Sequence, residues 1–228
     1  MTADRFELTT IVSAPFDENS YVAHLPDSRQ CLVFDPGLDP ERIVACIDSK
    51  QLTPAAILLT HGHADHIAGN AVLKQRWPDC PLMIGRGDAP KLADPRLNLS
   101  ANLGLPLTSP PADRLLDDGE VVQAAGFELL VREIPGHSSG HVVFIWREHR
   151  PMYVFGGDVL FAGSVGRTDF PDGSMPQLAK GIHRHLFSLP DDTIVLSGHG
   201  EPTTIGAEKA TNPFVGKPAG WKGRESEK

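Results

Sequence analysis

Apolar residues along this chain keep two different rhythms. Over residues 19–25, Tyr21, Ala23 and Leu25 alternate with Val22 and His24, which is the two-residue period of a strand. Residues 6–13 and 30–37 are further short apolar segments, with Pro26 to Arg29 as a hairpin turn and Pro36-Gly37 as a strong stop. The period then changes. Over residues 40–50, Ile43, Val44 and Ile47 fall at helical spacing behind Pro40. Residues 54–60 are almost wholly apolar, as in a strand buried on both faces. A helix is expected over 68–78, ending at Pro78, and a short strand over 81–85. The second half repeats the style, with strands over 126–136, 141–146 and 151–161 and a helix over 175–190. A buried strand over 192–200 and a short helix or turn over 205–214 follow. Residues 88–120, rich in Pro, Asp and Leu, read as an irregular excursion.

Interleaved strands and helices predict a layered α/β fold. Adjacent strands between 128 and 160 imply antiparallel pairing, so a simple doubly wound sheet fits poorly. The 228 residues suit one domain, placed at 1–216, with a polar tail at 217–228 that should fray. A composition 40% hydrophobic and 22% charged is that of a globular chain. Net charge is -8 with Lys and Arg scattered, which argues against nucleic acid as a partner. No apolar stretch approaches about 18 residues, and MTADRFELTT lacks a signal-peptide core, so a cytoplasmic protein with no membrane partner is expected. Cys31, Cys46 and Cys80 are too few and too scattered for a disulfide framework.

Polar clusters sit at the C-terminal ends of four of these strands. THGHADH (60–66) follows AAILL, GHSSGH (136–141) follows LLVREIP, Gly157-Asp158 follows MYVF, and GHG (198–200) follows TIVLS. Loops beyond strand ends in layered α/β proteins gather into sites. These supply His61, His63, Asp65, His66, His137, Asp158 and His199, a nitrogen and oxygen set suited to borderline divalent metals. His61 and His63 are two positions apart, so an extended backbone aims both one way. Asp65 and His66 fall where the loop enters a helix and can face a second point. One ion would then take His61, His63 and His137, and another Asp65, His66 and His199, with Asp158 bridging. His24, His149, His183 and His185 read as structural or solvent-facing. For His141 a structural role is favoured over orienting a ligand.

Together these four motifs, in this order, resemble the metallo-β-lactamase-fold hydrolases. NSYVAH, LVFDPG, GDVLFAGSVGRTDFPDGS and GHGEPTTIGAEKATNPF resemble its glyoxalase II-like branch, the hydroxyacylglutathione hydrolases, in its short bacterial type. The resemblance implies an αββα sandwich of two mixed β-sheets flanked by helices. It also implies the same seven ligands for two divalent ions, zinc first, with iron or manganese as family alternatives. The implied activity is hydrolysis of a glutathione thioester, S-D-lactoylglutathione, by attack of a metal-bound hydroxide, with Asp65 and Asp158 as catalytic residues.

The chain departs from longer glyoxalase II enzymes in two ways. They carry a helical C-terminal extension whose basic residues hold the glutathione carboxylates, and a lysine and tyrosine after the bridging aspartate. Here the chain ends at Lys228, and Arg167 and Asp169 of GRTDF stand in those places. Arg167 is the candidate substrate-binding residue; its alternative role is to pair with Asp169 and stiffen the loop. GRTDF also occurs in persulfide dioxygenases of this fold, which hold one ferrous ion on two histidines and an aspartate. Those ligands would fall on His61, His137 and Asp158, making an oxidoreductase the runner-up. A β-lactamase role ranks lower. A non-catalytic binding protein of the same fold ranks low too, because all seven ligands are kept.

Overall fold

The computed structural model describes residues 6–223. The first half forms a sheet of six strands in the order β1 (Glu7–Ser13), β2 (Glu18–His24), β3 (Gln30–Phe34), β4 (Thr53–Leu59), β5 (Leu82–Gly85) and β6 (Arg114–Leu116). The hairpins β1–β2 and β2–β3 are antiparallel, and β3 through β6 run parallel. Between them lie α1 (Pro40–Ser49), α2 (Ala64–Ile67) and α3 (Asn70–Arg76). The second half forms β7 (Val121–Ala124), β8 (Phe127–Glu133), β9 (Val142–Trp146), β10 (Tyr153–Gly157), the small hairpin β11 (Leu160–Phe161) and β12 (Ser164–Val165), α4 (Met175–Gly181), β13 (Ile194–Ser197), β14 (Thr203–Thr204) and α5 (Ile205–Thr211). Its main sheet has the order β14-β13-β10-β9-β8-β7. Strands β7 to β10 are antiparallel to their neighbours as expected, and β10 pairs parallel with β13.

The strand pattern explains the layering. In β4, Ala56 and Leu58 face the second sheet while Ile57 and Leu59 face the helices. Both faces are apolar because both are covered. Between the sheets, Phe34 stacks on Phe155 with ring centroids 3.7 Å apart. Outside the first sheet, Ile43 and Ile47 of α1 and Leu73 of α3 pack on Val33, Ile57 and Leu59. Outside the second, Leu178 of α4 and Ile205 of α5 pack on Val143, Ile145 and Val154. The result is the αββα sandwich of two mixed sheets. No helix among the described residues is long and apolar enough to cross a membrane.

Several expectations need correction. The helix expected over 68–78 is α3, Asn70–Arg76, which starts only after Gly69, where the backbone N–H donates to Pro36 O at 2.8 Å. The helix expected over 175–190 is α-helical only to Gly181 and continues as a π-turn over Ile182–Leu186. Residues 88–120 hold 3-10 turns at Arg86–Leu92 and Ser100–Leu103 and the edge strand β6, which is too short to show a period. Trp221 packs on Phe187 at 4.9 Å between ring centroids, while residues 224–228 lie outside the described part.

Candidate metal centre

Four strand ends open at one edge of the sandwich. β4 runs through Thr60, His61, Gly62 and His63 directly into α2, which carries Asp65 and His66. The β8–β9 loop carries His137, the end of β10 leads to Asp158, and the end of β13 leads to His199. The approach at β10 is close. Gly157 has φ +46, and a Cβ there would lie 2.2 Å from Thr60 Oγ1. Only glycine combines that backbone with that contact. A slip in the β10–β13 register at this point turns Asp158 into the cluster.

The seven candidate ligands meet. Ligand atoms of His61, His63 and His137 lie within 4.8 Å of one another, as do those of Asp65, His66 and His199. His63 Nδ1 and His137 Nε2 face each other at 2.9 Å. Asp65 Oδ2 is 3.4 Å from His199 Nε2 and 3.8 Å from His66 Nε2. Asp158 stands between the groups. Its Oδ2 is 3.4 Å from His137 Nε2 and 3.5 Å from His199 Nε2, and its Oδ1 is 3.4 Å from His66 Nε2.

Outer hydrogen bonds set which ring nitrogen faces inward. His61 Nδ1 meets Thr60 Oγ1 at 3.1 Å, and His66 Nδ1 meets Asp35 Oδ2 at 3.2 Å. His137 Nδ1 donates to Arg167 O at 2.9 Å and His199 Nδ1 to Phe16 O at 3.0 Å. Each then presents Nε2 to the cluster, the arrangement in which neutral imidazole binds a metal. The Nε2 atoms of His61 and His66, and Oδ1 of Asp158, are buried with no hydrogen-bond partner. Orphaned buried groups of this kind cost about 1–3 kcal/mol each. Divalent cations of the zinc, iron or manganese type would satisfy them together, so the residues fit such ions.

The two ends of the cluster differ electrically. Burial, reinforced by neighbouring imidazoles, pushes the His61 imidazole well below its usual range and His63 down to about 3, so both are neutral lone-pair donors. At the other end burial opposes charge, but the carboxylates prevail. Asp158 and Asp65 raise His199 to about 10 and hold His66 well above the ordinary histidine range. Burial likewise works against the Asp158 carboxylate, yet His66 and its neighbours keep it far below the usual carboxylate range. This end is built to hold positive charge.

Three further residues serve the site. Asp35 lies close enough to His61 and His66 to count as a ligand itself. Its oxygens are committed, however, to Thr60 N and Thr60 Oγ1, both at 2.7 Å, and to His66, so it orients rather than coordinates. His141 stacks on His61 at 4.7 Å, and its Nε2 accepts the Asp158 N–H at 3.1 Å, which fixes the backbone under the Asp158 carboxylate. Asp88 accepts N–H groups of Gly62 at 2.8 Å and Gly140 at 2.7 Å and the Ser138 hydroxyl, tying together the two loops that carry His61, His63 and His137. Asp88 follows the apolar strand β5, so the strand-end rule that picks out the candidate ligands reaches it as well. The segment GRGDAP shows otherwise only the lack of a nucleotide-loop pattern.

Above the cluster opens a pocket of about 510 Å³, lined in part by Phe16, Leu99, Phe161, Val165 and Phe170, with Arg167 at its wall. Arg167 Nε and Nη2 donate to the two carboxylate oxygens of Asp169 at 2.7 and 2.6 Å, and its guanidinium lies 4.5 Å from the Phe170 ring centroid. Residues 14–199 match the family model described as the metallo-beta-lactamase superfamily. The chain belongs to that superfamily. It is 38% identical over 192 residues to the hydroxyacylglutathione hydrolase GloC of Haemophilus influenzae, covering 83% of this chain and 89% of the relative. Among solved structures it resembles the BLEG-1 B3 metallo-beta-lactamase, with a TM-score of 0.87, 39% identity, and 92% and 99% of the two chains covered. It also resembles TTHA1623 in a di-iron-bound form, with a TM-score of 0.78, 38% identity, and 91% and 100% covered. By class the chain is a metallo-hydrolase of this superfamily.

Proposed function

We propose that this protein hydrolyses glutathione thioesters, with S-D-lactoylglutathione as the first substrate, releasing glutathione and D-lactate. The observation that carries the reading is the meeting of two three-ligand groups on Asp158 at the floor of an open pocket. His61, His63 and His137 would hold one divalent ion, and Asp65, His66 and His199 a second, with Asp158 shared. A mononuclear dioxygenase would need only His61, His137 and Asp158, and would leave the convergence of the second group without a purpose. The name of the GloC relative supports a glutathione thioester as substrate.

Bound there, two divalent ions would lower the pKa of a coordinated water toward roughly 7 and polarise the thioester carbonyl. The protein supplies the rest. Asp158 sets the spacing of the two groups, since its Oδ2 faces His137 of one group and His199 of the other while its Oδ1 faces His66. Asp65 accepts a hydrogen bond from the attacking water and aims its oxygen at the carbonyl carbon. Collapse breaks the C–S bond, and a thiol of pKa near roughly 8.5 leaves carrying a proton that came from the water. No side-chain nucleophile is required; Cys31, Cys46 and Cys80 belong to the core on the helix side of the first sheet. Arg167 binds a glutathione carboxylate by exchanging it for Asp169. Both partners are exposed, and such pairs are worth about 0–1 kcal/mol, so the exchange costs little.

The test is an assay of metal-loaded protein on S-D-lactoylglutathione, beside oxygen uptake with glutathione persulfide and turnover of a chromogenic β-lactam. Thiol release without oxygen consumption is expected. Ferrous-dependent oxygen uptake, or β-lactam turnover, with no thioesterase activity would sink the proposal.

A further inference from the structure

The pocket is more apolar than a lactoyl group needs. Three phenylalanines from three separate segments ring the cluster. Phe170 lies edge-on to His63 at 5.1 Å and to His137 at 5.7 Å between ring centroids. Phe161 lies edge-on to His199 at 6.2 Å, and Phe16 passes its carbonyl oxygen to the same histidine. Phe16 keeps 40% of its surface exposed, and Leu99 and Val165 complete the wall. The neutral amide of Asn98, also on this wall, is spent internally: its Nδ2 donates to Lys91 O and Leu107 O, and its Oδ1 accepts the Ser100 N–H. The cluster therefore has two flanks. The His137 flank carries Arg167 and Phe170, and the His199 flank carries Phe16 and Phe161.

We propose that the His199 flank, walled by Phe16 and Phe161, is an acyl pocket for a bulky apolar acyl group, aryl or branched, on a glutathione thioester. This rests on the thioesterase reading above. Glutathione anchored by Arg167 occupies the His137 flank, so the carbonyl over the ions points its acyl substituent at the two phenylalanines. A lactoyl group offers that wall one methyl. A phenyl group offers a full ring face, and phenylalanine edges receive such a ring in the T-shaped geometry aromatic pairs prefer. One methylene in an apolar pocket already discriminates about 10-fold or more, so a phenyl in place of a methyl should exceed that.

The experiment has a kinetic and a binding arm, both on metal-loaded protein. The kinetic arm compares kcat/KM for S-mandeloylglutathione and S-D-lactoylglutathione, which share their thiol and differ only in the acyl substituent. The binding arm measures by calorimetry the Kd of two thioethers that cannot be hydrolysed, S-benzylglutathione and S-methylglutathione. A preference of at least about 10-fold for the aryl member is expected in both arms, falling below about threefold in Phe161→Ala. Phe161→Leu, which keeps an apolar wall, should fall between. Equal or reversed preference with intact lactoylglutathione turnover overturns the acyl pocket and leaves the thioesterase reading standing. An aryl preference that survives Phe161→Ala overturns the assignment to this flank. Absence of hydrolysis of either thioester, with no difference between the thioethers, overturns both.

Discussion

Replacing Asp88 with alanine should damage the metal centre without touching a ligand. Asp88 is fully buried. Its carboxylate holds three donors, the N–H groups of Gly62 and Gly140 and the Ser138 hydroxyl, which lie on the two loops that carry His61, His63 and His137. Lys91 sits 3.8 Å away but has its own partner, Asp172, at 2.6 Å, so it cannot take over the carboxylate's role. Alanine would strand the three donors in a dry interior, each at about 1–3 kcal/mol, and relaxation of the loops would recover part. A net loss of about 4 kcal/mol follows, which for a chain of this size lowers Tm by about 8–16 °C. Asp88→Asn keeps one acceptor oxygen but turns an NH2 toward an N–H donor, so it should recover no more than about half. Denaturant unfolding of metal-free protein reads the stability, and metal analysis after dialysis at fixed free metal reads the site. Loss of such an orienting group should weaken metal affinity about 10–100-fold. A stability change below about 1 kcal/mol, with both ions retained, would refute the claim that Asp88 ties these loops.

Three other outcomes follow from the same geometry. Asp65→Ala or His199→Ala should release the second ion first, and mass spectrometry of the native protein should find a one-ion species; loss of both ions together would argue against two separable groups. Arg167→Ala should raise KM for glutathione thioesters and spare kcat, whereas an unchanged KM with lower stability would assign Arg167 to loop stiffening with Asp169. Asp172 provides a pH test. Burial alone would raise its pKa, but hydrogen bonds from Lys91 and the Ser139 N–H bring it down to about 2. A depressed carboxylate stabilises the fold above its unfolded pKa of about 3.9, and that contribution should fade as pH falls from about 4 toward 2. Asp172→Asn should flatten the stability curve in this window, and an unchanged curve would show that the pair contributes nothing there.

The sequence by itself determined the candidate ligand set and most of the elements that carry it. Runs such as AAILL and TIVLS announce strands buried on both faces, and a polar cluster after such a run has to lie at a strand end. His61, His63, Asp65 and His66 were legible as a group because a strand followed by a helix start fixes their directions locally. What no local pattern encodes is which groups from distant segments come to lie beside them. Asp35, Asp88 and His141 each act through a hydrogen bond to a loop brought near only by sheet packing, and an isolated Asp or His in a loop carries no sign of its partner. The turn at Gly69 that separates α2 from α3 was decided the same way, by the backbone bond to Pro36 O. The tertiary structure alone decided that Arg167 pairs with Asp169, because a two-residue spacing in a loop leaves that geometry open. It alone decided that Phe16, Phe161 and Phe170 share one pocket, since their segments meet only when the two sheets close over the core.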